Sequence, residues 1–538
     1  MILKLVDLFA FFSVLLRAGT LVFQSVLVGG VIFVLWVAGQ APGRLASGID
    51  RIRTSCWKLL TFSAIGLAVV QVLYLFVDSS VLMATAGLGI DGIVGANFFI
   101  SGSIVFITAL VTAVIAGSFR QIAHWALPVL VLVIIGASLM TNHAASRLEG
   151  RPLLIALSSM HELTAGVWIG GLPFLVLGLL QAKDVDTEWY VSQRFSRAAL
   201  VSVGLLLLSG TLMSILYIGG WGAVLGTGYG VMVSAKAAML VALLALGGAN
   251  YLLLRNATKE EGLPRLRRMI EAEVGIGITI ILTAASLASQ PPAVDQLNQT
   301  VNLQQIYQRF KPVPPRLTYH YVVDDPKGNR TAGQVKGYDA DGLPLTTYQI
   351  NNAIESESNH HWMGLIVLAM GLMALLARTG KAPWAEYWPL LLMGIAAFIF
   401  LLADTESWPV GPKSYWVAWA NPEVFQHRLA GFVCVGFAFF ELRIRKQRRE
   451  NDRLTLVFPL MCALGGAVLL THSHPTTNVK ENLLVELSHV PLGVTAVLAG
   501  WSRWLELRLP QAHRAIPSWI WPACFVLIGL GLLNYREM

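Results

Sequence analysis

Charge is what this chain has least of. Only 13% of its 538 residues are Asp, Glu, Lys or Arg, while 55% are hydrophobic, against roughly 25% charged residues in soluble domains. With a mean hydropathy of +0.63, a water-soluble globule is excluded and most of the chain belongs in a bilayer. Cysteine is as scarce: Cys56, Cys434, Cys462 and Cys524 stand singly in or beside apolar runs, with no CxxC. That excludes a disulfide framework and a cysteine zinc site; Cys434, two turns after His427, is the one near another metal-ligand type. Neither a GxxxxGK[ST] phosphate loop nor a DKTGT-type phosphorylation motif is present, which excludes an ATP-driven pump.

What is present is a series of apolar runs. At about 20 residues per crossing, spans fall near 10–37, 57–77, 98–118, 122–141, 153–180, 198–218, 229–254 and 270–289. After a polar stretch at 290–359 they resume near 361–378, 386–403, 424–442, 454–471, 484–502 and 517–535. The expected fold is an all-α polytopic membrane protein of about 14 transmembrane helices in an 8 + 6 arrangement. Residues 1–289 form a first membrane domain, 290–359 an insert and 360–538 a second membrane domain. Within the insert, RLTYHYVV, DDPKGN and QVKGYDADGLPLTTYQI alternate Thr, Tyr and Val around turn residues, which predicts a small β-rich element; DADG lacks the rest of a calcium loop and reads as a turn. The first apolar stretch is too long for a signal-peptide core and reads as a retained span.

The formal net charge of +8 has a definite placement. Connections carrying Arg44, Arg51, Arg53 and Lys58, then Arg120, then Lys183, Arg194 and Arg197, then Arg255–Arg268 are basic. So are those with Arg378 and Lys381, with RIRKQRR, and with Arg503, Arg508 and Arg514, whereas 78–97, 219–228 and 404–422 are nearly free of Lys and Arg. By the positive-inside rule the basic side is cytoplasmic and both termini are extracytoplasmic. The basic residues therefore face lipid headgroups, and nucleic-acid binding drops out.

On this map nine of the eleven histidines lie outside: His143, His161, His320, His360, His361, His427, His472, His474 and His489; His124 and His513 lie near the inner side. Imidazoles at the mouths of apolar helices are costly unless they bind something. In MTNHAASRLEGRPLLIALSSMHELTAGVWIGGLPFL, His143 and His161 end consecutive spans on one side, with Met140 and Met160 beside them and Met213 on the same face. Imidazole with thioether suits copper, Cu(I) above Cu(II); taken singly, a methionine is equally a helix filler. Glu162 is placed to orient His161, balance a cation or carry a proton, or else to pair with Arg147 or Arg151. Trp168 follows His161 by seven residues, on the same face and about 10 Å deeper. Gly170 and Gly171 allow close helix approach, and Pro173 predicts a kink. Lys236, two turns into its span, must snorkel, find a carboxylate such as Glu162, or lose its proton. In the second half His360–His361–Trp362 opens a span, His427–Arg428 opens another, His472 and His474 sit in a loop, and Glu486 and His489 share one helix face. Together these form a second external histidine site.

These residues resemble a known family. Residues about 140–295 are similar to the copper resistance protein D (CopD) family, through NHAAS, MHELTAGVWIGGLPFL, RFSRAALVSVGLLLLSGTLMS, LGTGYGVMVSAKAAML and RRMIEAEVGIGITIILTAASLASQPPA. Residues 360–510 resemble a C-terminal extension of longer members; where members often have a glycine before the loop histidine, this chain has Asn142. The resemblance implies a bacterial inner-membrane protein handling copper between periplasm and cytoplasm, often with a periplasmic copper-binding partner. The expectation is copper transport or homeostasis with capture at His143 and His161, and no enzymatic activity. Two alternatives stay open. One is a b-type cytochrome with haem held by His361, His427 or His489 and Arg428 on a propionate, the only reading in which an enzyme results. The other is a non-transporting copper sensor or assembly factor.

Overall fold

A computed structural model describes residues 9–39, 42–296, 299–319, 322, 337–420, 422–446, 453–471 and 478–537. It divides into two compact units: Met1–Val224 with Gly228–Leu297 and Leu470–Ser473, and Leu225–Thr227 with Asn298–Leu469 and His474–Met538. Twelve helices among the described residues are long and apolar enough to cross a membrane. The other two segments read as spans are helices as well, Ala123–Leu139 of 17 residues and Pro422–Lys446 of 25.

The first unit contains α1 (Phe9–Ile32), α2 (Ala46–Ala86), α3 (Asn97–Ser118), α4 (Ala123–Leu139), α5 (Arg151–Ala165), α6 (Leu172–Gln181), α7 (Val185–Ile218), α8 (Gly228–Asn256) and α9 (Lys259–Ala288). Their ends follow local chemistry. Asp184 caps α7 by accepting from the Thr187 amide at 2.7 Å, while Gly87 and Gly219 end α2 and α7 with φ of 63° and 76°, the left-handed stop that suits glycine. Between α5 and α6 the chain makes a five-residue π turn, Gly166–Gly170, and Pro173 lies in the first turn of α6.

Glycines set how closely the helices pack here. A Cβ on Gly170 would stand 1.8 Å from the Ser25 carbonyl oxygen, and one on Gly29 would stand 2.2 Å from the Gly170 carbonyl carbon. α1 thus lies backbone to backbone on the π turn, the small-residue packing that lipid-embedded helices use in place of hydrophobic burial.

The second unit contains α10 (Leu303–Phe310), α11 (Thr347–Arg378), α12 (Leu391–Leu401), α13 (Pro422–Lys446), α14 (Val457–Thr471), α15 (Val479–Arg508) and α16 (Ala515–Leu533). Its core gathers Met370, Trp388, Ile399, Phe458, Ala499 and Trp521, with Cys434 and Cys462 packed against it. At one end Glu506 accepts from Arg378 and Arg503, each at 2.5 Å, while Glu441 takes Arg445 at 2.9 Å. Arg445 lies over Trp388 and Arg503 over Trp521.

The stretch expected to be β-rich differs from that expectation where it is described. Among the described residues there is no strand, and Tyr338 and Pro344 make an isolated bridge. The reason is visible at Thr346: its hydroxyl accepts from the Gln349 amide and Gln349 reaches back to the Thr346 amide. This capping box starts α11 inside the expected insert. DADG is a turn, with Asp339 Oδ1 accepting from the Asp341 and Leu343 amides. DDPKGN and, within RLTYHYVV, His320, Tyr321 and Val323 lie outside the described residues.

Gly170→Ala is expected to cost more than the roughly 1–3 kcal/mol of ordinary overpacking, because backbone and not a flexible side chain blocks the methyl. Thermal unfolding in detergent checks this against Gly204→Ala, where an added Cβ meets nothing within 4 Å and no loss is expected.

Candidate functional site

The first unit carries an open cavity of about 840 Å³ between α1, α5, α7, α8 and α9. Its wall is apolar except at a few points, among them Gln24, His161, Glu162, Met213, Tyr229 and Lys236. His161 enters beside Gly210, where a Cβ would meet its Cε1 at 3.2 Å. Its Nδ1 lies 3.2 Å from Ser209 Oγ. Ser209 spends its own proton on the Leu205 carbonyl, at 2.9 Å, so the hydroxyl oxygen accepts from Nδ1–H. That tautomer leaves Nε2 with its lone pair, the form that ligates a metal.

Glu162 is held from two other helices. Gln24 Nε2 donates to its Oε2 at 2.9 Å and Ser138 Oγ donates to the same oxygen at 3.0 Å. Arg147 is engaged elsewhere, on Asp295 at 2.9 Å. Lys236 shares the cavity with Glu162 but forms no ion pair among the described residues. Met213 brings a thioether to the wall, with Ser158 Oγ 4.0 Å from its sulfur.

His143 stands apart from that wall. It begins the one-turn helix His143–Ser146, for which Asn142 is the cap, accepting from the Ala144 and Ala145 amides at 2.9 and 3.2 Å. Its ring packs at 6.4 Å on both Tyr217 and Tyr229, and Tyr229 in turn lines the cavity. His143 Nε2 is buried without a hydrogen-bond partner. Burial first, then the Arg17 and Arg147 charges, hold this imidazole below its usual pKa and so neutral, as a ligand must be. Met140 is 38% exposed and Met160 half-buried; neither lines the cavity.

Trp168 corrects the expectation that it continues the His161 face. It sits in the π turn, whose wider winding breaks the 3.6-residue register, and the side chain lines a different hollow of about 50 Å³ with Asn250 and Glu273. Its neighbour Ile169 takes the cavity wall instead. The side chains that complete the site and were not singled out from the sequence are Gln24, Ser138, Ser209 and Tyr229. Their signal is polarity inside apolar runs, faint for Ser and Tyr and plainer for Gln24.

In the second unit the described histidines make contacts within the chain. His361 is 3% exposed; its Nδ1 accepts from the Arg316 amide at 2.7 Å and its Nε2 donates to the Tyr535 carbonyl at 2.9 Å, so both ring nitrogens are spent on the chain. His360 stacks on Tyr535 at 3.8 Å and meets His489 edge-on at 5.8 Å, and His489 Nδ1 bonds the Val485 carbonyl at 2.9 Å. His427 Nδ1 lies 3.3 Å from Asp404. Arg428, 1% exposed, donates to the Tyr415 carbonyl at 2.6 Å and lies 3.8 Å over that ring and 5.2 Å over Trp419. Glu486 is half-buried on α15. His320, His472 and His474 lie outside the described residues. Among the described residues no group of three or more His, Cys, Asp and Glu side chains is placed to hold a metal ion.

Residues 189–287 match the family model described as Copper resistance protein D. The copper transport protein CutJ of Bacillus subtilis (strain 168) is 30% identical over 216 residues, covering 38% of this chain and 39% of that relative. The chain therefore spans well under half the length of the curated relative it matches. No solved structure matches. The matched stretch supplies Met213, Tyr229 and Lys236; His161 and Glu162 precede it.

Arg428→Leu is expected to destabilise the second unit by about 3–5 kcal/mol, since it strips a buried cation from Asp404 and two aromatic rings. Arg428→Lys is expected to recover little of this, because an ammonium lacks the planar face. Thermal unfolding of the purified variants reads both.

Proposed function

We propose that this chain, whose residues 189–287 match the Copper resistance protein D family model, transports or hands on copper across the bacterial inner membrane. The observation that carries the reading is the cavity of the first unit, whose lining includes an imidazole, a thioether and a carboxyl group, those of His161, Met213 and Glu162. Soft, few and partly apolar, this donor set suits Cu(I) above Cu(II) and suits neither Mg²⁺ nor Ca²⁺. Copper is here cargo. A cavity that holds it with few ligands releases it readily, as a carrier requires, and no enzymatic step is involved.

His143 serves as the outer station. Its neutral ring, with an unpartnered nitrogen against Tyr229, supports capture at the mouth and transfer inward to His161 and Met213. The alternation of basic connections supports an extracytoplasmic mouth and extracytoplasmic termini. A periplasmic copper-binding protein is the natural partner on that side, and the outer segment and the second unit are the surfaces available to it. Both nitrogens of His361 are taken by the chain, which leaves His427 and His489 as the candidate ligands of the haem alternative.

Two measurements test this. Cells expressing His161→Ala are expected to differ from wild type in isotopic copper accumulation; equal accumulation sinks the transport reading. In purified protein, Ser209→Ala is expected to weaken copper binding about 10–100-fold by freeing the His161 ring, and the optical spectrum is expected to lack a Soret band.

A further inference from the structure

The smaller hollow of the first unit is not used by copper capture. It measures about 50 Å³ and is lined by Trp168, Ser192, Gly247, Asn250 and Glu273 together with apolar side chains. Glu273 is 3% exposed and Asn250 7%. Asn250 Nδ2 donates to Glu273 Oε1 at 2.5 Å, while Asn250 Oδ1 is buried with no hydrogen-bond partner. A carboxyl group at membrane depth with no cation beside it marks ion or proton traffic.

The charges around it are engaged elsewhere. On α9 itself Arg267 pairs with Glu188 of α7, and Arg268 with Glu271. Arg17 of α1 reaches the far end of α9, donating to the Ala288 carbonyl at 2.6 Å. Lys236 of α8 faces the large cavity, and α5, α6 and the π turn bring no charge to this hollow.

The lining chemistry selects the occupant. Its polar lining is hydroxyl, carboxyl, carboxamide and indole, with no imidazole or thioether, so it is hard where copper is soft, and its size admits little more than a water. What it lacks is a donor for Asn250 Oδ1. A protonated carboxyl and a carboxamide form a cyclic pair of two hydrogen bonds, N–H to C=O and O–H to C=O. A proton on Glu273 therefore closes what the carboxylate leaves open.

Its position gives the proton a use. Glu273 precedes Ile281, which lines the large cavity, by eight residues, about 12 Å of helix rise. The π turn divides the two hollows, Ile169 walling one and Trp168 the other. Moving Cu⁺ alone carries a net charge through a low dielectric, whereas exchanging it for H⁺ leaves the charge unchanged.

We infer that Glu273, held by Asn250, is the proton-carrying group of this protein, and that copper moves in exchange for protons bound there. This rests on the copper reading above. One proton adds to a Glu273 carboxylate oxygen, forming an O–H bond, and later leaves from that bond toward the other side. No electron moves, and copper keeps its oxidation state.

The test uses full-length protein in proteoliposomes with a trapped pH dye and an imposed gradient of chelator-buffered Cu(I), reading isotopic copper and protons in the same vesicles. Wild type is expected to move both. Glu273→Gln keeps the Asn250 bond and is expected to move copper with the proton signal lost; Asn250→Leu is expected to shift the pH of half-maximal coupled flux, and serves if Glu273→Gln does not fold. Copper flux without proton movement in wild type, a proton signal intact in Glu273→Gln, or flux that follows a sodium gradient overturns the exchange and leaves the copper reading standing. Absence of copper flux in wild type overturns the copper reading. The proton site is then decided by infrared difference spectra across a pH step: a protonated-carboxyl C=O band present in wild type and missing from Glu273→Gln upholds it, and no such band overturns it.

Discussion

The contact of α1 with the π turn at Gly166–Gly170 governs the first unit. Backbone touches backbone there, with Ser25 against Gly170 and Gly29 against Gly170 and Gly171. Since the atoms in contact are backbone and no flexible side chain can yield, the approach fixes the height of α1 against α5. That height carries Gln24 to Glu162 and so ties the carboxylate before any ligand arrives. The same turn sends Ile169 to one hollow and Trp168 to the other. A local change of helical winding thus decides which residues share a compartment.

The two units spend similar residues in different ways. In the first, His161 gives one nitrogen to Ser209 beside the cavity, and Glu162 is oriented by two neutral donors, Gln24 and Ser138. In the second, imidazoles act as joints: His361 joins the Arg316 amide to the Tyr535 carbonyl, and His360 lies flat on Tyr535. Similar sequence signals, histidines at the mouths of apolar helices, therefore have separate physical causes. One is an open lone pair beside a cavity; the other is a buried turn that needs its backbone groups paired.

Much of the architecture was legible from the sequence. Apolar runs of about 20 residues are their own signature, and each one proposed is a helix. His161, Glu162, Lys236 and Met213 could be grouped because helix periodicity places them near the same end of neighbouring spans. Trp168 could not be placed, because a π turn adds residues to a winding without any motif to announce it. The Thr346–Gln349 capping box was written in the chain but lay inside a Thr- and Tyr-rich stretch that also fits strands; the cap decided the outcome. Gln24 and Ser138 escaped because a helix hides its partners until its neighbours are known. Asn142, a departure from the family pattern, is explained by its role as the cap that positions His143.

The arginine–glutamate cluster at one end of the second unit has a further effect. Arg378, Arg445 and Arg503 face Glu441 and Glu506, leaving one net positive charge clamped between Trp388 and Trp521. Arginines that read as surface markers of orientation are here partly withdrawn from the lipid. A charge locked in the protein cannot be titrated by anionic headgroups or slide along the bilayer normal. This end of the unit therefore carries its own fixed counterweight, and its depth is insulated from changes in the lipid around it.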